Sequence, residues 1–318
     1  MKLKGLSHYK NDMDTRFGDC IMIFDNTSLI VYDCGHQRHA EEVEEYLKKH
    51  QTIQEIYIVV SHNDSDHIDG VSNLMEYLYE NNYNVTLYTS LYLKETKKIL
   101  DILDDGRRKE KATREHILEM FDNIKDIVET AEDYGFAVKN AVVGTKISTG
   151  KIVGPTVDEF VNVVAKAIET QNSGAKIDAE TVMNAASVQL NIKLENASEV
   201  LLCGDATPEY LHNIEKYDLI QLPHHGKLES AQMIFDKLDD PYKKNFLISD
   251  NTGSGATSGG SDKLVKYMKD EKMNVAYNTQ NGIVNIPEER VYGTNYSSER
   301  KVKLGEMGCH KRRWNYIE

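Results

Sequence analysis

Proline and cysteine are both scarce in this chain. Five prolines and 20 glycines among 318 residues exclude a collagen-like or low-complexity polymer. The four cysteines, Cys20, Cys34, Cys203 and Cys309, are scattered and form no Cys-x-x-Cys pair. That argues against a disulfide framework and fits a reducing compartment. Positive charge is short as well: 38 Lys and Arg face 51 Asp and Glu, a formal net charge of −13. No global field therefore draws the chain to DNA, RNA or anionic lipid. A polyanionic ligand has to be captured locally, by a metal, a helix terminus or a basic tail. Long apolar runs are missing too. The longest strings, such as residues 56–60, have strand length and fall far short of a bilayer span. The opening MKLKGLSHYKND is basic without an apolar stretch, so no signal peptide is expected. Together these absences predict a cytoplasmic protein with no membrane partner.

What is present is a foldable composition, with 40% hydrophobic and 28% charged residues. The length allows two domains or one large α/β domain. Apolar runs at 20–24 and 29–32, separated by Asn26-Thr27-Ser28, read as a hairpin. Residues 39–50 carry Val43, Tyr46 and Leu47 on a Glu/Lys background, which predicts an amphipathic helix. A β-branched strand at 53–60, a helix at 71–79 and a strand at 85–92 follow, a βαβ-like order. From about 94 to 172 the spacing predicts charged helices (94–104, 110–134 and 157–170), a helical insertion whose polar faces are solvated or meet a partner. Strands are expected again at 187–194, 199–203, 219–222 and 246–249. A helix is expected to open over 207–214 behind Pro208 and another at 262–271, with a final strand pair at 275–277 and 283–286.

The strongest chemical signal is His62-x-Asp64-x-Asp66-His67, four candidate ligands directly after the strand at 53–60. A strand end running into a tight loop directs His62 and Asp64 to one locus, with Asp66 and His67 in reach of a second. Two cations roughly 3.5–4 Å apart, clamping attacking and leaving oxygens, need such a set. Imidazole with carboxylate suits Zn, Mn or Fe. The plain alternative is a polar loop whose Asp66 or Asp69 caps the next helix. Asp205, in Leu201-Leu202-Cys203-Gly204-Asp205, ends another buried strand and is placed to bridge two metals, or else to start a helix. Leu222-Pro223-His224-His225-Gly226 puts paired imidazoles at a strand end, as ligand or proton shuttle.

In these stretches the chain resembles the metallo-β-lactamase superfamily, and within it the soluble hydrolase domain of the DNA-uptake channel ComEC and its stand-alone relatives. The resemblance rests on Gly18-Asp19, Val31-Tyr32-Asp33-Cys34-Gly35, the loop from His62 to Gly70, Asn184-Ala185-Ala186-Ser187 with Gly204-Asp205, Pro223-His224-His225-Gly226, and a C-terminal pattern in Phe246-Leu247-Ile248-Ser249 and Asn278-Thr279-Gln280-Asn281-Gly282. It implies a four-layer αββα sandwich with the helical insertion, filling residues 1–295, and a polar, basic tail over 296–318. It further implies two divalent cations, Zn first with Mn or Fe as alternatives. His62 and Asp64 would hold one, Asp66 and His67 the other, with His225 completing the second site and Asp205 bridging. Asp33 would orient the signature loop by hydrogen bonding. His224 would then act as general acid or bind the transition state, and Asp66 is counted with it as catalytic.

Three departures bear on this. Asp64 stands where the family has His, and a harder, charged ligand favours Mn or Fe. No strand-borne His occurs between 68 and 211, where Asn184 occupies the vicinity, and the loop 251–261 holds no His. The implied activity is a metal-dependent phosphodiesterase or nuclease-type hydrolase. The charge of −13 turns its substrate towards a small diester or short nucleic acid and away from long duplex. The run Lys311-Arg312-Arg313 is a phosphate contact or a plain basic tail. Two other readings stand: a lactonase, thioesterase or phosphocholine esterase on the same scaffold, and a non-catalytic scaffold binding a partner protein through the insertion.

Overall fold

The structure is a computed structural model. It describes residues 1–6, 18–90, 115, 122–169, 176–177, 180–249, 262–274 and 276–287. Met1–Pro287 form the first of two units, and residues 288–318 lie outside the described residues. The first unit is built on two seven-stranded sheets. The first sheet comprises β1 (Lys2–Gly5), β2 (Ile21–Phe24), β3 (Ser28–Tyr32), β4 (Glu55–Val59), β5 (Asn84–Thr89), β6 (Ala137–Asn140) and a last strand, Val284–Ile286, which pairs with β1. The second sheet takes up β7 (Lys146–Ile147) and β8 (Gly150–Gly154). The short strands β9 (Lys176–Ile177) and β10 (Glu180–Thr181) form a separate ladder. β11 (Gln189–Lys193), β12 (Glu199–Leu202), β13 (Leu219–Gln221), β14 (Asn245–Ile248) and β15 (Tyr277–Asn278) complete the second sheet, and the last strand of the first is β16.

Side-chain alternation in the strands explains the layering. In β3, Leu29 and Val31 face the helices while Ile30 and Tyr32 face the other sheet. In β12, Leu201 faces outward to helices and Val200 and Leu202 inward. Both faces of these strands are covered, so they read as continuous apolar runs instead of alternating ones. The helices α1 (Gln37–Lys49), α2 (Ser65–Ile68), α3 (Val71–Glu80) and α4 (Asp122–Asp133) follow on the first half of the chain. Of these, α1, α3 and α4 bury Val43, Leu47, Leu74, Leu78 and Ile127 on the first sheet. Next come α5 (Val157–Glu169), α6 (Val182–Ala185), α7 (Leu228–Lys237) and α8 (Asp262–Asp270). α7 and α8 cover the second sheet with Ile234, Phe235, Leu264 and Met268. The architecture is the expected four-layer αββα sandwich. Among the described residues no helix is long and apolar enough to cross a membrane.

Strand direction positions the site. β3, β4, β5 and β6 run parallel, as do β12, β13, β14 and β15. Loops at the carboxyl ends of such strands are where α/β sheets place ligands. Asp33, Ser61, Asp205, the turn after Leu222 and Ser249 all leave these ends.

The structure differs from expectation in four places. The segment from 94 to 172 is not wholly helical: α4 and α5 form, but β6 joins the first sheet between them and β7 with β8 edge the second. Its described part is thus the connection between the sheets, and the expectation for 94–104 lies outside the described residues. Behind Pro208 the chain makes only two 3₁₀ turns, Pro208–Tyr210 and Ile214–Lys216, because Asn213 between them turns left-handed at φ 51°. β15 and β16 pair with different sheets instead of each other. Finally, β1, the β9–β10 ladder, α6 and α7 have no counterpart among the expectations. The expectations for 251–261 and for the tail over 296–318 also fall outside the described residues.

Candidate metal centre

The site is built on Asp33, fully buried in a left-handed conformation (φ 58°) just past β3. Its Oδ1 accepts the Ser61 backbone N–H at 2.7 Å, and its Oδ2 accepts the Ser61 hydroxyl at 2.6 Å. The same Oδ2 lies 2.8 Å from His67 Nδ1, which donates to it. The Ser61 hydrogen is committed to Asp33, so the 2.9 Å contact between Ser61 Oγ and His62 Nδ1 is a bond donated by the imidazole. Both rings are thereby fixed in the tautomer that turns Nε2 to the interior. His62 Nε2 and His67 Nε2 are buried with no hydrogen-bond partner.

The third imidazole enters from the second sheet. Pro223 is followed by His224, His225 and Gly226 at φ 55°, 52° and 75°. Two successive non-glycine residues in that region are strained, a feature that gathers at functional sites. The turn aims His225 inward, where Nδ1 donates to the Ser249 carbonyl at 2.9 Å and Nε2 stands 2.9 Å from Asp66 Oδ2. Asp205, 3% exposed, sits among all three rings: Oδ1 is 3.6 Å from His67 Nε2, and Oδ2 is 4.0 Å from His225 Nε2. The His224 backbone N–H donates to Asp205 Oδ1 at 3.0 Å.

These contacts set the charges. Burial works against ionising Asp205, but His225 and His67 outweigh it and hold its carboxyl well below the usual carboxylate range. Burial likewise opposes charge on Asp66, and the bond from His225 with the charge of His67 wins, holding that carboxyl low. His67 is raised well above an ordinary imidazole because Asp205 and Asp33 overcome its desolvation. His225 is raised in the same way by Asp205 and Asp19.

Two groups of three donors lie close enough to share an ion: His62, His67 and Asp205, and Asp19, His67 and His225. The donor set fits a borderline divalent cation, and the buried unpartnered Nε2 atoms of His62 and His67 are the observation that supports the fit. Asp66 joins through His225. Asp64 stands at the rim with its side chain 43% exposed and Oδ2 3.7 Å from His62 Nε2. It occupies the N-cap position of α2 but makes no side-chain cap bond, and Gly70, not Asp69, precedes α3. Asp66 lies inside α2 with its carboxylate against His225 Nε2, so capping by Asp66 or Asp69 does not account for the acids of this loop. Asn184 Nδ2 lies 3.4 Å from Asp205 Oδ2 and 3.3 Å from His224 Nδ1, so it meets the centre from the α6 side.

Four residues of this site carry no local ligand motif. Ser61 orients His62, Ser249 anchors His225, and Asp19 with Gln221 forms a bridge between the sheets. Asp19 and Ser249 stand in stretches that carry the resemblance, with no role attached there, and Ser61 and Gln221 carry no sequence signal of their own.

No protein-family model and no curated relative matches the chain. Among solved structures it is similar to the metallo-β-lactamase fold protein YhfI from Bacillus subtilis. That likeness has 10% identity, covers 87% of this chain and 94% of the other, and has a TM-score of 0.43. It is also similar to human tRNase Z, short form, with 11% identity, 87% and 93% coverage and a TM-score of 0.39. A long form RNase Z from yeast matches at 13% identity over 81% of this chain and 38% of that one, with a TM-score of 0.37.

Proposed function

We propose that the chain is a metal-dependent hydrolase acting on phosphodiesters, small or short ones in preference to long duplex nucleic acid. The observation that carries this reading is the set of three buried imidazoles, each anchored through Nδ1 and each presenting Nε2 towards a buried or partly buried carboxylate. Such pre-set tautomers cost a folded protein two buried polar networks, and ligand binding is what they serve. His62, His67 and Asp205 are assigned to one cation, with Asp64 at its open side. Asp66, His225 and Asp205 are assigned to the other, because Asp66 and Asp205 face His225 Nε2 whereas Asp19 faces its Nδ1. Two divalent cations held there, Zn first and Mn or Fe with the Asp64 carboxylate, supply Lewis acidity and an activated nucleophile.

The chain's own groups do the rest. Asp66 and Asp205 are ionised at neutral pH and offset part of the cation charge. His224, 13% exposed, stands at the rim with Nδ1 3.3 Å from Asp205 Oδ2. That placement suits a group that passes a proton to the leaving oxygen. Asn184, beside both, holds the His224 ring. The net charge of −13 disfavours a long polyanion, which would need many phosphate contacts.

The test is a screen of bis-p-nitrophenyl phosphate, a cyclic dinucleotide, single- and double-stranded DNA and RNA, each with Zn and with Mn. Turnover of a small diester that disappears in Asp205→Asn is the expected result. Hydrolysis of a lactone or thioester instead, with no diester cleaved, overturns the substrate class. A chain that binds no metal and cleaves nothing overturns the enzyme reading.

A further inference from the structure

One buried side chain ties the two sheets together behind the metal ligands. Gln221 is the last residue of β13 and is 1% exposed. Its Oε1 accepts the backbone N–H groups of Cys203 at 3.0 Å and Gly204 at 3.3 Å, the two residues that lead into Asp205. With the oxygen so occupied the amide has one orientation, and Nε2 donates to Asp19 Oδ2 at 2.8 Å. Asp19 is 1% exposed and belongs to the first sheet's side. Its own N–H donates to the Asp66 carbonyl and its carbonyl accepts the Gly35 N–H, each at 2.9 Å. Its other oxygen, Oδ1, is buried without a well-formed hydrogen bond and faces His225 Nδ1 at 3.2 Å.

A buried amide is costly unless its groups are paired, and an aliphatic side chain fills an inter-sheet position more cheaply. Gln221 meets that cost with contacts that all lead to ligands: the strand end entering Asp205 on one side, and the carboxylate behind His225 on the other. A carboxylate behind a metal-bound imidazole fixes its ring and raises its basicity, and removing such a partner typically costs 10–100-fold in metal affinity.

We propose that Gln221 is a positioning residue of the metal centre, holding the Asp19 carboxylate behind His225 in fixed register with the backbone that presents Asp205. This rests on the metal-centre reading above. The ligands come from two sheets, His62, Asp66 and His67 from one and Asp205 and His225 from the other. The Asp19–Gln221 bond spans the gap between them, and loss of either partner lets the second-sheet ligands drift relative to the first.

The test titrates the metal-stripped full chain with Co(II), reading stoichiometry, affinity and the visible ligand-field spectrum. Wild type is expected to bind two ions. Asp19→Asn, which swaps one oxygen for an NH₂ beside the His225 N–H, and Gln221→Leu are each expected to bind one ion at least tenfold more weakly, with an altered spectrum. Gln221→Glu keeps the acceptors for Cys203 and Gly204 but sets a second carboxylate against Asp19, and is expected to weaken the same ion. Wild-type affinity and spectrum in Asp19→Asn and Gln221→Leu overturn the inference while leaving the metal centre standing. Should Gln221→Leu fail to fold, the near-isosteric Asp19→Asn decides alone. A wild-type chain that takes up no Co(II) overturns the metal centre and this inference together.

Discussion

Asp33 Oδ2 and His67 Nδ1 stand 2.8 Å apart, both residues fully buried, and the same oxygen takes the Ser61 hydroxyl. One carboxylate thus orients two imidazoles, His67 directly and His62 through Ser61. It accepts three hydrogen bonds and has none to give.

Asp33→Asn places an NH₂ group against one of those three donors. An unpaired buried donor costs about 1–3 kcal/mol, so the urea midpoint is expected to fall by a matching amount. Metal affinity is expected to fall about 10–100-fold, because the His67 and His62 tautomers are no longer held. Equilibrium unfolding and metal content measured on the same preparation check both. Unchanged metal affinity would show that Asp33 is only structural.

The pH dependence has a definite sign. His67 and His225 are raised above the ordinary value of about 6.5. Their contribution to the stability of the metal-stripped chain is full below pH 6.5 and is lost as pH rises through the folded values. Asp66 and Asp205 are depressed below about 3.9. Their contribution is present above that value and is lost as pH falls through the folded ones. A cation must displace the imidazole protons, so its binding strengthens with pH. The Tm gap between metal-loaded and stripped protein is therefore expected to widen from pH 5.5 to 8. A gap that narrows contradicts the ligand assignment of His67 and His225.

Gly35 packs its Cα against the signature loop. A methyl group there would fall on the Asp66 carbonyl, with the Gly18 Cα 2.7 Å away. Both neighbours are backbone and cannot swing aside. Gly35→Ala is expected to cost about 1–3 kcal/mol and to displace Asp66 and His67 together. Thermal unfolding and metal stoichiometry report the two effects. A stable protein with full metal content would mean that the loop yields freely.

Leu190, fully buried in β11, lies in the layer between the sheets. Leu190→Ala is expected to lower stability by about 2–5 kcal/mol. The site lies at the strand ends and not in that layer, so metal stoichiometry below the unfolding transition should be unchanged.

Where the sequence was legible, the information was local. His62, Asp64, Asp66 and His67 fall within six residues behind one apolar strand, and Asp205 and His225 each end another. Two of the strands missed within 94–172 had weak signals for physical reasons. β6 is an edge strand with no buried residue, and β7 has two residues. Edge strands lack the doubly covered faces that make β3 or β12 read as apolar runs. The pairing of β16 with β1 joins the two ends of the compact unit, and no pattern within either segment announces it.

By itself, then, the chain determined which residue types stand at the ends of buried strands, because strand burial and ligand chemistry are written in neighbouring positions. Only the tertiary structure decided how those ends meet: that His67 faces Asp205 from across the sandwich, and that Asp19 and Gln221, 202 positions apart, share a hydrogen bond. The physical reason is that a hydrogen bond or a coordination site depends on angstrom-scale placement, and here the packing of two sheets through Ile30, Tyr32, Leu190 and Leu202 sets that placement.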